Sequence, residues 1–282
     1  MKRSPALEGI IQAHRSINRS SSMLRVLKVI FCVSVAFGCS TSSHTLAYRE
    51  PAQAELSNIV VGIVGDIHEN LIAEEAILKE FRSRHVTHII GTGDFINWGG
   101  PTALTEVLKK FSLITSISRE NIFLMPGNWE HETGFDPAEM NKILANYGNL
   151  VYEKCDGYGY VNIGGQKIMV SHFPQHLLPD TMLPPREFQT CQPGKACLLE
   201  TLTRGLYPSA DTEFEIFGHT HRFGSYIDAT SHKVVINVGT LHPTKKVLSE
   251  PSGYAIYSPD EHRIQMYDAE SGSLVKTILL AK

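Results

Sequence analysis

Short apolar runs alternate with stretches of helical apolar spacing in the first half of the chain. Residues 59–64 are apolar and predict a buried strand, and the spacing of apolar residues over 71–84 predicts a helix directly after it. Further strands are predicted at 88–91 and 122–125, and further helices at 102–116 and 137–146. Repeated strand–helix units predict a sheet with parallel strands.

The second half of the chain has hairpin signals instead. Predicted strands at 158–163 and 166–170 flank Gly164-Gly165, and those at 226–228 and 233–237 form a second hairpin. Other strands are predicted at 215–217, 254–258 and 262–268, and a helix at 195–206. Strand–helix units followed by hairpins predict an α/β fold with two sheets packed as a sandwich.

Polar residues of a few kinds follow the predicted strands. Sites of open α/β sheets lie at the carboxyl ends of strands, so we expect these side chains to converge there. Residues two apart in an extended segment point the same way, which predicts that Asp66 and His68 enter one cavity. The strand-end residues are Asp66, His68, Asp94, Asn128, His172, His219 and His221.

Two Asp, one Asn and four His are more ligands than one metal ion needs. They suit two divalent ions that share a bridging carboxylate. Mixed nitrogen and oxygen ligands favour Mn, Fe, Zn or Ni over Mg or Ca. Each residue also has a structural alternative, since His172 could be a hydrogen-bonded strand-end histidine and Asn128 a turn residue.

Composition and charge narrow the class of partner. The chain has 282 residues, of which 42% are hydrophobic, and a formal net charge of −3. One or two globular domains are expected at this length. No basic face is implied, so charge does not suggest a nucleic-acid partner.

The N-terminal residues have the pattern of an export signal. Residues 23–28 are basic, 29–37 are apolar, and small residues follow. We expect residues 1–54 to be a leader and linker and residues 55–282 to form the domain. Cys39 fits the lipidated position of a bacterial lipoprotein, and a rival cleavage site ends at Ala47. The expected location is the periplasm or a membrane anchor; a buried N-terminal helix and a cytoplasmic protein with an early start codon stay open.

Two cysteines flank a short loop in the second half of the chain. Cys191 and Cys197 enclose Pro193-Gly194, and both a disulfide and two free thiols fit that spacing.

The ordered motifs resemble those of the calcineurin-like metallophosphoesterase superfamily. They are G-D-I-H-E-N at 65–70, G-T-G-D at 91–94, G-N-W-E at 127–130, V-S-H at 170–172 and G-H-T-H at 218–221. The resemblance covers residues 59–268, and the turn N-V-G-T at 237–240 is similar to that of the small bacterial phosphodiesterase branch. It implies a four-layer α-β-β-α sandwich and a hydrolase acting on a phosphodiester or phosphomonoester.

The resemblance also implies roles for the strand-end residues. Asp66, His68 and His221 would hold one metal, Asn128, His172 and His219 the second, and Asp94 would bridge both. A hydroxide between two metals, most simply Mn, would attack phosphorus, so Asp94 and Asn128 are also catalytic candidates. The alternative function is a binding or scaffold module on the same fold, as in the retromer phosphoesterase-like subunit.

One position departs from the family pattern. The family's G-N-H-[DE] histidine is Trp129 here, and indole does not take up a proton under ordinary conditions. His131, two residues on, is a candidate substitute, with a surface histidine as the alternative. Arg186, in a Pro-rich segment at 173–195, is a candidate phosphate contact or a surface-loop residue.

Overall fold

The computed structural model describes residues 58–114, 117–132, 134–151, 158–175, 182, 211–228, 231–242 and 252–281. All of them belong to one compact unit, Tyr48–Lys282. Among them the helices are α1 (Leu71–Ser83), α2 (Gly100–Ser112), α3 (Asn128–Glu132) and α4 (Pro137–Tyr147). The strands are β1 (Val61–Val64), β2 (His88–Gly91), β3 (Ile122–Leu124), β4 (Asn149–Leu150), β5 (Tyr158–Ile163), β6 (Gln166–Ser171), β7 (Phe214–Ile216), β8 (Phe223–Ile227), β9 (Val234–Val238), β10 (Gly253–Ser258), β11 (Arg263–Asp268) and β12 (Leu274–Leu279).

The described strands form two mixed sheets. The first has the order β12-β11-β10-β1-β2-β3-β4, with β1 to β4 parallel and β10 to β12 antiparallel. The second has the order β5-β6-β7-β9-β8, with a parallel centre and an antiparallel strand at each edge. Both predicted hairpins are present, as β5–β6 and β8–β9. The prediction of a two-sheet α/β sandwich with flanking helices is confirmed.

Two apolar cores lie on opposite faces of the first sheet. Neighbouring residues of a strand point to opposite faces, so Ile89 packs with the helices while Ile90 packs between the sheets. Val64 and Val61 of β1 divide in the same way. Because both faces are covered, these strands are apolar throughout rather than alternating.

Helix α1 begins where the sequence predicted, at a capped position. The Asn70 side chain accepts a hydrogen bond from the Ala73 N–H at 3.2 Å and donates to the Leu241 carbonyl at 2.6 Å. The cap therefore also attaches the helix to the segment that follows β9. Helix α2 begins two residues before its predicted start, because Pro101 suits the first helical turn.

Strand β12 was not predicted from the sequence. It lies at the edge of the first sheet, and most of its residues are exposed, including Leu274 and Leu279. An edge strand without a buried face has no apolar alternation to show, so periodicity does not reveal it.

Several sequence predictions fall outside the described residues. They are the leader over 1–54 with Cys39, the helix at 195–206, Arg186, and the Cys191–Cys197 pair. Among the described residues, no helix has both the length and the apolar character needed to cross a membrane.

A buried carboxyl group on α1 predicts how stability depends on pH. Glu74 is 1% exposed, and neither carboxyl oxygen has a hydrogen-bond partner among the described residues. Burial raises the pKa of Glu74 to about 8. The unfolded chain has the ordinary, lower pKa, so the folded protein binds more protons and loses stability as pH rises from about 4.5 to 8.

We expect Glu74→Gln to remove this part of the pH dependence. At pH 7.5 the variant should have a free energy of unfolding about 1–3 kcal/mol higher than the wild type, measured by urea denaturation. The control is Glu75→Gln, because the Glu75 side chain is 77% exposed and pairs with Lys110 at the surface. A Glu74→Gln variant less stable than this control at pH 7.5 would contradict the prediction.

Candidate metal centre

The candidate ligands follow the carboxyl ends of five parallel strands. In the first sheet, Asp66 and His68 follow β1, Asp94 follows β2, and Asn128 follows β3. In the second sheet, His172 follows β6, while His219 and His221 follow β7. These edges face each other, so the structure brings all seven predicted residues together.

Four of these residues form one group around a common point. His221 Nε2 lies 3.1 Å from His68 Nε2 and 3.4 Å from Asp66 Oδ1. His68 Nε2 lies 3.8 Å from Asp94 Oδ2. The ligand atoms of Asp66, His68, Asp94 and His221 all lie within 4.8 Å of one another, close enough to hold a metal ion.

A second group shares one member with the first. It consists of Asp94, His172 and His219, with ligand atoms again within 4.8 Å of one another. Asn128 Oδ1 completes it, at 3.0 Å from His172 Nε2 and 2.9 Å from His219 Nδ1. Asp94 belongs to both groups, which is the arrangement that a shared carboxylate between two ions needs.

Backbone conformation corrects one expectation from the sequence. The extended geometry expected at Asp66 and His68 is wrong, because both lie in the left-handed region, with φ of 47° and 49°. Asp94, His219 and His221 are also left-handed, with φ of 52°, 68° and 60°. Tight turns, not strand alternation, therefore aim these side chains inward. Such conformations are strained for side chains other than glycine, and they persist only where neighbours hold them.

Hydrogen bonds between loops hold the turn after β1. Its Asp66 and His68 N–H groups donate to the carbonyls of Gly93 and Asp94 at 2.9 and 3.0 Å. The Asp66 carbonyl accepts from the Thr240 hydroxyl at 3.0 Å, and its carboxylate accepts from the His219 N–H at 3.0 Å. Asp66 therefore links loops that follow strands of both sheets.

The buried carboxylate of Glu130 holds the loop that carries Asp94. Its Oε1 accepts from the Phe95 and Ile96 N–H groups at 2.9 and 3.2 Å. Its Oε2 accepts from the Asp94 and Gly127 N–H groups at 3.0 and 2.6 Å. Burial and the nearby Asp94 carboxylate raise the pKa of Glu130 to about 7, although the backbone donors lower it. This role of Glu130 was not predicted from the sequence; the acidic residue that ends G-N-W-E was the available signal.

Gly93 allows the loops to approach closely. Its φ is +96°, and a Cβ there would lie 2.6 Å from Gly127 N and 2.8 Å from His172 Nδ1. Any larger side chain would separate the loops after β2, β3 and β6.

The ionisable groups of the site are buried and close together, so they shift one another's pKa values. Burial alone would lower the pKa of His172, but the carboxylates of Asp94 and Asp66 raise it to about 9. Burial and the charge of His172 lower the pKa of His219 to about 3. His172 Nδ1 lies 2.8 Å from the Thr92 carbonyl, so a proton there leaves Nε2 free to act as a ligand.

Comparison with known proteins decides the family. A model of the calcineurin-like phosphoesterase superfamily domain matches residues 59–262, well over half of the chain. The chain belongs to the calcineurin-like phosphoesterase superfamily. No protein of curated function matches it significantly.

Several solved structures are similar to this superfamily member. Yfce, a phosphoesterase from E. coli, has 15% identity and a TM-score of 0.48, over 79% of this chain and 100% of its own. An archaeal phosphodiesterase has 19% identity and a TM-score of 0.44, over the same shares. A Vps29 variant from Entamoeba histolytica has 16% identity and a TM-score of 0.45, also over 79% and 100%. These likenesses concern the fold.

Three further aromatic or imidazole side chains lie near the candidate metal centre. The backbone N–H of Trp129 donates to Asp94 Oδ1 at 3.0 Å, and its ring lies nearly perpendicular to that of His68. His131, which was predicted as a substitute proton donor, lies on α3. It belongs to neither ligand group, and burial lowers its pKa. His242 was missed from the sequence; its ring centroid lies 5.1 Å from that of His68. It follows the N-V-G-T turn, and that turn was the signal available for it.

We expect Glu130→Gln to destabilise the protein. An amide nitrogen cannot accept the hydrogen bonds that one carboxylate oxygen now accepts, so two buried N–H groups lose their acceptor. Urea denaturation at pH 7.5 should show a loss of about 2–4 kcal/mol. The matched control, Glu139→Gln, changes an exposed residue of α4 and should cost little. Equal stability of the two variants would show that Glu130 does not hold these loops.

Proposed function

We propose that this protein is a metal-dependent phosphoesterase that uses two divalent ions to hydrolyse a phosphodiester or phosphomonoester. The observation that carries the proposal is the shared carboxylate of Asp94, itself buried, between two groups of buried and partly buried ligands. Membership of the phosphoesterase superfamily supports the reaction class.

The donor set fits two ions. Asp66, His68 and His221 would hold the first ion, and Asn128, His172 and His219 the second, with Asp94 bound to both. Nitrogen and oxygen donors together favour Mn, with Fe, Zn or Ni as alternatives. When bound, such ions supply a water of lowered pKa and polarise the phosphate oxygens.

The chain's own residues would hold this arrangement in place. The Trp129 backbone N–H donates to Asp94 Oδ1, which leaves Oδ2 facing His68 and His172 at 3.8 and 3.4 Å. Because the ligands already lie close together, little conformational entropy is lost in ordering them when metal binds. In the reaction, water oxygen bonds to phosphorus, the ester P–O bond breaks, and the leaving alkoxide takes up a proton.

The presence of Trp129 in place of the family's histidine limits which groups could supply that proton. The indole N–H can donate a hydrogen bond but is too weak an acid to give up its proton, so the leaving group would rely on water or on His131. Arg186, outside the described residues, stays a candidate phosphate contact.

The second candidate function is a binding module on the same fold. Trp129, in place of the family's histidine, is the observation that favours it. All seven ligand positions are filled, which favours an enzyme. Turnover separates these two functions, since both allow metal binding.

We also propose that residues 1–54 direct export, with Cys39 as a lipid anchor. Localisation in a membrane fraction that a Cys39→Ser variant leaves would support the anchor. A cytosolic fraction would overturn export.

We expect the metal-stripped protein to hydrolyse bis-p-nitrophenyl phosphate only after Mn is added. His221→Asn should lower kcat/KM by about 100-fold or more, because a metal ligand is lost. The matched control is His85→Asn, since His85 is exposed and also left-handed, with φ of 54°. Asp94→Asn should abolish both turnover and the rise in melting temperature that Mn produces. Mn binding without turnover would favour the binding module.

Substrates with good leaving groups should be favoured. Without an efficient proton donor, log kcat/KM for aryl methyl phosphates should fall steeply as the pKa of the leaving phenol rises. Trp129→His should flatten this dependence. Alkyl esters cleaved as fast as aryl esters would show that another group already protonates the leaving oxygen.

A further inference from the structure

We propose that Trp98 and Trp129 form an aromatic wall beside the metal centre that binds a planar ring of the substrate. The inference rests on the proposed function and adds a substrate class, phosphate esters that carry an aryl group or a nucleobase. The term aromatic wall refers below to these two indole rings.

Trp129 brings the wall to the metal centre. Its backbone N–H donates to Asp94 Oδ1 at 3.0 Å, and its ring centroid lies 6.2 Å from that of His68, at an interplanar angle of 86°. The side chain therefore begins at the shared ligand and borders a second one.

Trp98 extends the wall outward. Its ring centroid lies 4.6 Å from that of Trp129, at an interplanar angle of 81°, which is a favourable edge-to-face contact. The Trp98 residue is nevertheless 71% exposed. Two ring-to-ring steps thus connect a candidate metal ligand to an indole surface open to solvent.

The loop that carries Trp98 is anchored on both sides. The N–H groups of its two neighbours, Asn97 and Gly99, donate to Glu69 Oε1 at 2.9 and 2.6 Å. Glu69 directly follows His68, and its own N–H donates to the Phe95 carbonyl at 3.0 Å. An exposed indole is therefore held at a fixed position relative to the metal centre.

This arrangement suits a flat apolar group attached to a phosphate. A phosphate bound at the metal centre would direct its ester group away from the ligands, and the wall offers a neutral aromatic surface whose nearer ring lies 6.2 Å from that of His68. Stacking of a base on an aromatic side chain tolerates any planar ring and contributes about 5- to 100-fold to binding. Because the wall is already ordered, little of this gain in affinity is lost to the ordering of side chains on binding.

The chain provides its own probe for the test. It contains two tryptophans, and both are in the wall, so tryptophan fluorescence reports on this surface. With Mn-loaded protein, we would titrate two matched ligand pairs that the proposed reaction cannot cleave: the methylenephosphonate analogues of AMP and of ribose 5-phosphate, called the AMP pair below, and 2-phenylethylphosphonate against ethylphosphonate. The members of each pair share their phosphorus group and differ in the ring. Fluorescence and isothermal calorimetry would both be recorded.

We expect the ring-bearing ligands to quench the fluorescence and to bind about 5- to 100-fold more tightly than their partners. Trp98→Ala should remove most of that preference, and Trp98→Phe should retain part of it. The control Leu279→Ala removes another exposed apolar side chain, 74% exposed on the edge strand β12, and should keep the full preference.

The outcomes are distinct. A preference shown by both pairs supports a general aromatic site, and one shown by the AMP pair alone supports a nucleotide site. Equal affinity within each pair, or a preference that Trp98→Ala leaves intact, would overturn the wall. Hydrolysis of bis-p-nitrophenyl phosphate separates this from the proposed function, because turnover without ring preference refutes only the wall. Ring-dependent binding without turnover refutes only the enzyme.

Discussion

The buried carboxylate of Glu130 is the interaction on which the rest of the site depends. It satisfies four backbone N–H groups from the loops after β2 and β3, where no regular secondary structure could do so. Its effect is to hold Asp94, the one ligand that both candidate metal groups share. A negative charge buried beside another carboxylate is costly, and the four donors offset that cost.

The left-handed turns follow from the same constraint. Side chains from two separate sheets must meet within a few ångströms, which an extended backbone after each strand would not achieve. Asp66 and His68 therefore adopt strained conformations, and the loops after β2, β7 and β9 hold them through hydrogen bonds to Asp66. The two packed cores around the site help to hold these strained backbone conformations.

A site built in this way determines the reaction class more closely than the substrate. The ligands lie in turns held by hydrogen bonds to one another, whereas the substrate depends on what borders them. Trp129 stands where the motif that the sequence resembles has a histidine, and it contacts Trp98 at the surface. The same residue therefore underlies both the expected preference for good leaving groups and the proposed aromatic wall.

The sequence by itself determined most of the strands, most of the helices and all seven candidate ligands; β4 and β12, at the two edges of the first sheet, were not predicted. Strands buried on both faces and helices with one apolar face have local patterns, and the ligand motifs follow those strands directly. Only the tertiary structure decided how Asp66 and His68 are aimed, that Glu130 holds the loop of Asp94, and that His242 and Trp98 approach the site. These features depend on contacts between residues far apart in the sequence, such as the hydrogen bond between Asn97 and Glu69, which are 28 positions apart. Local periodicity carries no information on such contacts, because they arise only when separate loops are packed together.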